Sequence, residues 1–148
     1  MKWDIRFLKL AKHVAEWSKD PSTQVGAVIA KDKRVISMGF NGFPRGVDDS
    51  EVRLNTRGLK YDLIIHAEIN ALSFAYVDVG GATLYTYPMQ PCVRCATQVI
   101  QSGIKRVVTI VPSTELNERW GGGFCQVKEI FEEAGVKIGY IPEHKLRG

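Results

Sequence analysis

Apolar residues near the start of the chain fall at Ile5, Leu8, Ala11, Val14 and Ala15, with Lys9, Lys12 and Glu16 elsewhere on the circumference. That three-and-four spacing predicts a helix over 5–17. "SKDPST" ends it, since Pro21 drives its predecessor out of the helical region. "QVGAVIA" and "RVISMGF" read as two strands around the tight turn "KDK", an antiparallel hairpin. From Asn41 to about Tyr61 the periodicity dissolves around Gly42, Pro44 and Gly46, which predicts a long loop. A strand-like run, "YDLII", then leads to His66. Beyond it the pattern predicts a helix over 66–76, a turn and strand in "GGATLYTY" and a helix in "CVRCATQVIQSG" stopped by Gly103. A strand in "KRVVTIV", a helix from Cys125 to Ala134 and a last strand in "VKIGYI" complete the chain. Strands alternating with helices after a hairpin imply an α/β fold. The expected architecture is a three-layer α/β/α sandwich around a mixed five-stranded sheet, antiparallel at its start and parallel later. One domain is expected over residues 1–148.

Hydrophobic residues are 45% and charged residues 24% of the 148, ordinary for a globular chain. No apolar run is long enough to span a bilayer, and the amphipathic start lacks the apolar core of a signal peptide. A cytoplasmic setting without membrane association is expected. The net charge of +4 favours anionic partners but does not choose between nucleic acid and a nucleotide phosphate. Of three cysteines, Cys92, Cys95 and Cys125, the first two form a C-x-x-C pair. An odd count argues against a disulfide framework, and such a pair inside a cell points to metal or redox chemistry.

If a helix begins at Pro91, Cys92 and Cys95 lie one turn apart on one face, with β-carbons about 5–6 Å apart. Two thiolates there can converge on one zinc, and the positive helix start favours thiolate over thiol. Alone, the pair fits a redox dithiol or two buried small residues equally well. His66 adds a nitrogen, and three protein ligands leave the fourth tetrahedral position that a catalytic zinc keeps open. A fourth ligand from Cys125 or His13 would close the site, but Cys125 reads as a core cysteine and His13 as a surface histidine. Glu68 is either a carboxylate in the first turn of a helix or, beside zinc, a proton acceptor for water.

"HAE" at 66–68 and "PCVRC" at 91–95 resemble the H-x-E…P-C-x-x-C signature of the zinc nucleobase deaminases. The order of elements is similar to the cytidine deaminase fold. Within that superfamily "SKDPSTQVGAVI", "GFNGFPRG", "KYDLIIHAEINAL", "PCVRCATQVIQSGIKRVV" and "EEAGVKI", spanning 18–138, resemble the deoxycytidylate (dCMP) deaminases. The resemblance implies hydrolysis of dCMP to dUMP and ammonia, with one Zn²⁺ per chain held by His66, Cys92 and Cys95. It implies that Glu68 carries a proton to N3 and then to the departing nitrogen. Ala67 would offer its N–H to the base carbonyl, Asn41 would contact the sugar, and Ser18, Lys19, Ser22 and Thr23 are candidates for the phosphate. Asn41 also suits a turn before Gly42.

The resemblance further implies a homohexamer activated by dCTP with Mg²⁺ and inhibited by dTTP. Gly42, Phe43, Arg45, Asp48 and Asp49 are the effector-site candidates, and Arg119 and Trp120 the candidates for gating the pocket. Residues 41–65 contain no cysteine or histidine, so no second zinc is expected. Rival readings are a deaminase of CMP, dCTP, or a base in tRNA or single-stranded DNA, and a non-catalytic zinc-stabilised nucleotide sensor. No basic–aromatic interleaving supports a polynucleotide, and a purely structural zinc gives Glu68 no role.

Overall fold

The computed structural model describes residues 1–147, except the side chain of Trp120. Helix α1, Lys2–Ala15, buries Phe7, Leu8, Ala11, Val14 and Ala15, as the spacing predicts. It ends earlier than expected. The N–H groups of Glu16, Trp17 and Ser18 bond only three residues back, and Ser18 Oγ then accepts from the Asp20 N–H. Such local side-chain bonds compete with helix propagation. Strands β1, Gly26–Lys31, and β2, Arg34–Phe40, form the predicted hairpin. Its turn places Asp32 and Lys33 at φ of 54° and 64°, the backbone that a two-residue hairpin turn requires.

Strands β3, Thr83–Tyr87, β4, Arg106–Ile110, and β5, Lys137–Ile141, complete a sheet of order β2-β1-β3-β4-β5. β3 runs antiparallel to β1, and β3, β4 and β5 are mutually parallel. Helices α4, Ala67–Ser73, α5, Val93–Gln101, and α6, Thr114–Ala134, cover one face of it. Alternation along the strands separates two apolar layers. Ala27, Ile29, Leu84 and Val107 pack with Ala67, Ala71, Ala96, Val99, Val127 and Phe131. Val28, Ala30, Tyr85 and Val108 pack with Phe7, Leu8 and Ala11 of α1. The result is the expected three-layer α/β/α sandwich. Gly39 of β2 lets α4 lie close: a β-carbon there would stand 2.5 Å from the Ala67 carbonyl oxygen and the Ala71 nitrogen.

Three expectations need correction. The supposed loop over 41–61 contains α2, Glu51–Asn55, and most of α3, Arg57–Leu63. "YDLII" is consequently not a strand. Lys60 and Ile64 donate to carbonyls four residues back, and only Ile65 reaches an extended pairing, with Gly42. Both flanks of β1 are taken by β2 and β3, so β1 offers this run no place in the sheet. Finally, α6 starts at Thr114 rather than at Cys125. Ser113 caps it by accepting from the Leu116 N–H at 3.1 Å, and the helix runs through Gly121, Gly122 and Gly123, whose low propensity hides it from pattern reading. Cys125 is therefore an exposed mid-helix residue, not a core cysteine. Among the described residues no helix is long and apolar enough to cross a membrane.

Candidate active site

The chemistry-bearing side chains stand at the starts of two helices whose other faces are in the core. His66 is the capping residue before α4 and Cys92 the one before α5, both in extended backbone, with Cys95 in the first turn of α5. Pro91 thus precedes the cap instead of opening the helix. Small residues fix both helices against the sheet side, Ala67 and Ala71 in α4 and Ala96 in α5.

This packing closes a gap of two dozen residues to bonding distance. His66 Nδ1 lies 3.2 Å from Cys95 Sγ and 3.5 Å from Cys92 Sγ. The three donor atoms lie within 4.8 Å of one another. Zinc bonds of about 2.0–2.3 Å in a tetrahedron hold ligand atoms roughly 3.5–3.8 Å apart. One nitrogen and two sulfurs at this spacing fit that ion after small adjustments. Among the described residues the cluster consists of these three, and neither His13 nor Cys125 belongs to it.

Electrostatics agree with a site for a soft cation. The Cys95 thiol and the His66 ring bond to Cys92 and lower its thiol to about 4. The bond to Cys92 raises Cys95 in turn, with burial adding to it. A lowered thiol at Cys92 suits thiolate ligation, since a metal ion binds the deprotonated sulfur. The Cys92 bond also raises the imidazole of His66. Glu68, 4% exposed, has its carboxyl pushed up to about 7 by burial. A carboxyl near neutrality can both take and return a proton at physiological pH.

These residues open on a cavity of about 260 Å³, whose lining includes His66, Ala67, Glu68 and Cys92. Ala67, the first residue of α4, has an N–H outside the helix's own bonding. Asn41 and Thr23 also line the cavity, as does Ser22. The Asn41 amide is already engaged: Oδ1 accepts from the Val25 N–H at 2.9 Å, and Nδ2 donates to the Thr23 carbonyl at 2.9 Å. It shapes the wall as much as it presents a group to a ligand.

Other expected residues lie elsewhere. Ser18 is buried and bonds to the Asn41 carbonyl at 2.8 Å, and it does not reach the cavity. Lys19 pairs with Asp49 at 3.0 Å on the surface. None of Gly42, Phe43, Arg45, Asp48 and Asp49 lines the cavity. The Arg45 guanidinium lies 5.7 Å from the centre of the Phe74 ring, and the Asp48 carbonyl accepts from Arg53. Arg119 does line the cavity, from α6. The Trp120 side chain lies outside the described residues.

Among the lining residues that the sequence pattern did not single out are Arg57, Lys60 and Tyr61 of α3. With Ile64 they recur at i, i+3, i+4 and i+7, a helical signal that two cations among them disguised.

A family model for the cytidine and deoxycytidylate deaminase zinc-binding region matches residues 1–111. The chain belongs to this family. Among its deaminase relatives, one from Aliivibrio fischeri described as an uncharacterized deaminase is 43% identical over 141 residues, 95% of each chain. The deoxycytidylate deaminase of Homo sapiens is 36% identical over 118 residues, 73% of this chain and 64% of that protein. The chain therefore spans less than two thirds of the length of the human deaminase. The crystal structure of the dCMP deaminase of cyanophage S-TIM5 shares the fold at a TM-score of 0.73 and 21% identity, over 95% of this chain and 98% of that one. RibD of Acinetobacter baumannii gives 0.69 at 25% identity, over 98% of this chain and 36% of that one.

Proposed function

We propose that this deaminase converts dCMP and water into dUMP and ammonia, acting as one domain over its 148 residues. The observation that carries the reading is Glu68, a buried carboxyl beside a histidine–cysteine–cysteine triad in a cavity that also exposes cations. A zinc ion held by His66, Cys92 and Cys95 supplies Lewis acidity that makes water a nucleophile near neutral pH. Glu68 takes one proton of the attacking water and passes it to N3 as the water oxygen bonds to C4. It then takes the proton of the new C4 hydroxyl and gives it to the amino nitrogen, so that the C4–N bond breaks, ammonia leaves and the C4 carbonyl of dUMP forms. The Ala67 N–H holds the base carbonyl, and Asn41 bounds the sugar. The curated deoxycytidylate deaminases among its relatives support the choice of dCMP.

The same kinship supports allosteric control, with dCTP and Mg²⁺ activating and dTTP inhibiting through the Gly42–Asp49 region, in a cytoplasmic homohexamer. Arg119 and Trp120 are assigned to gating of the pocket. The deciding experiment follows loss of cytosine absorbance with dCMP on zinc-loaded protein, with and without dCTP–Mg²⁺. Turnover enhanced by dCTP is the expected result. No turnover in either condition, with zinc bound, would sink the assignment.

A further inference from the structure

A 5′-phosphate entering the cavity needs donors whose charge and N–H groups are not already matched. The 18–23 loop uses its own internally. The Ser22 and Thr23 N–H groups donate to Asp20 Oδ1 at 2.8 and 3.2 Å, so a carboxylate of the chain fills the cradle that an anion would enter. Lys60 Nζ donates to the same oxygen at 3.1 Å, and both side chains of that pair are 7% exposed. Ser18 is bonded inward and Lys19 is paired with Asp49. The loop and Lys60 form a neutral unit that braces the wall.

Arg57 is different. It lines the same cavity, and the partner of its Nε is the neutral Tyr61 hydroxyl, at 3.2 Å. Its guanidinium lies over the Tyr61 ring, 5.3 Å from the centroid. Among the described residues Arg57 has no carboxylate partner. Stacking on Tyr61 leaves its remaining N–H donors in the planar fork that suits a phosphate. Arg57, Lys60 and Tyr61 share one helical face. Lys60 applies that face to the 20–23 loop through Asp20, which places Arg57 one turn from the contact. α3 runs toward His66 at its far end, so Arg57 stands about 9 Å along the axis from Leu63. Arg57 and the triad's His66 and Cys92 line one cavity, so a nucleotide with its cytosine at the triad has Arg57 on the wall available to its phosphate.

We infer that Arg57 holds the 5′-phosphate of the substrate, with the Ser22 and Thr23 hydroxyls beside it, and so selects nucleotides over nucleosides. This rests on the nucleotide reading of the cavity. It differs from the loop-centred phosphate site that the sequence pattern suggests, because Lys19 is paired with Asp49 and the Ser22 and Thr23 N–H groups with Asp20.

The test compares zinc-loaded wild type, Arg57→Ala and Arg57→Lys in turnover of dCMP and deoxycytidine, and in calorimetric binding of dUMP and deoxyuridine. A charge-assisted phosphate contact predicts that Arg57→Ala raises the KM for dCMP and the Kd for dUMP about ten- to hundred-fold. The kcat should change far less, since the contact is made equally in ground and transition states. Deoxycytidine and deoxyuridine should lose much less, and Arg57→Lys should recover part of the loss. Equal losses for nucleotide and nucleoside, or none for either, would overturn the inference. Wild type that binds dUMP through Arg57 but fails to turn over dCMP would instead overturn the reaction assignment and leave Arg57 in place.

Discussion

His66, Glu68, Cys92 and Cys95 stand on helices packed into the apolar layer under the sheet, whereas Arg57, Lys60 and Tyr61 stand on a helix that buries one lysine and no apolar side chain. No residue from 42 to 66 belongs to either apolar cluster. The metal side of the cavity is thus held by the same packing that holds the fold, and the α3 side by polar bonds, chiefly Lys60 to Asp20. Chemistry that needs donor atoms in near-bonding geometry is put on the part with least freedom. Recognition of the ligand's far end is put on the part that can yield. Segments with few buried apolar contacts also sit at the low end of local stability.

The strongest way to sharpen that contrast is Glu68→Gln. It should lower turnover of dCMP by about 10²–10⁴-fold or more, while zinc content by atomic absorption and the unfolding midpoint stay near wild type. Full turnover in this variant would refute the proton-transfer role.

Gly39→Ala attacks the packed side without touching a ligand atom. Its new β-carbon would collide with backbone of α4 at 2.5 Å, which should cost about 3 kcal/mol by denaturant unfolding and weaken zinc retention. If stability falls but the zinc affinity does not, metal geometry is less dependent on α4 seating than the structure implies.

Lys60→Met attacks the other side. It leaves Asp20 buried without its cation and should cost up to about 3 kcal/mol, felt locally in α2 and α3. Faster hydrogen exchange over 51–63 with unchanged zinc content is the expected signature, together with a raised KM. Protection lost uniformly across the sheet would erase the distinction between the two sides.

The smallest effect belongs to Asp4, on the face of the sheet away from the cavity. Arg106 bonds it through both nitrogens and, with Tyr85, holds its carboxyl below the usual 3.8. A depressed carboxyl contributes stability above its unfolded value that is lost as pH falls through the folded one. Asp4→Asn should cost less than about 1 kcal/mol at pH 7, because Arg106 is part-exposed. It should also flatten the decline in urea midpoint from pH 5 to pH 2. A decline of unchanged steepness would assign acid lability to other carboxylates.

Much of the metal side was legible from residue types and spacing. A proline-led cysteine pair one turn apart, a histidine with a carboxyl two residues on, and small residues along the faces behind them each follow local rules. The hairpin, the alternation of strands with helices and the burial of α1 were legible for the same reason: their hydrophobic periods are regular. What stayed hidden were segments whose pattern is broken by charge or glycine. Lys60 occupies what would be an apolar slot of α3, and three glycines interrupt α6, so neither helix announces its full extent. Cys125 looked like a core residue only because its helix was started too late.

The amino-acid sequence by itself determined the fold class, the family and which histidine and cysteines gather into one cluster, since each depends on local periodicity or on residue types at short spacing. Tertiary structure alone decided which cations face the ligand and which are neutralised. Asp20 and Lys60 are 40 positions apart, and nothing local says that they meet. Because opposite charges cancel only when folding brings them within bonding distance, the 18–23 loop reads as a phosphate site in one dimension and as a neutral brace in three.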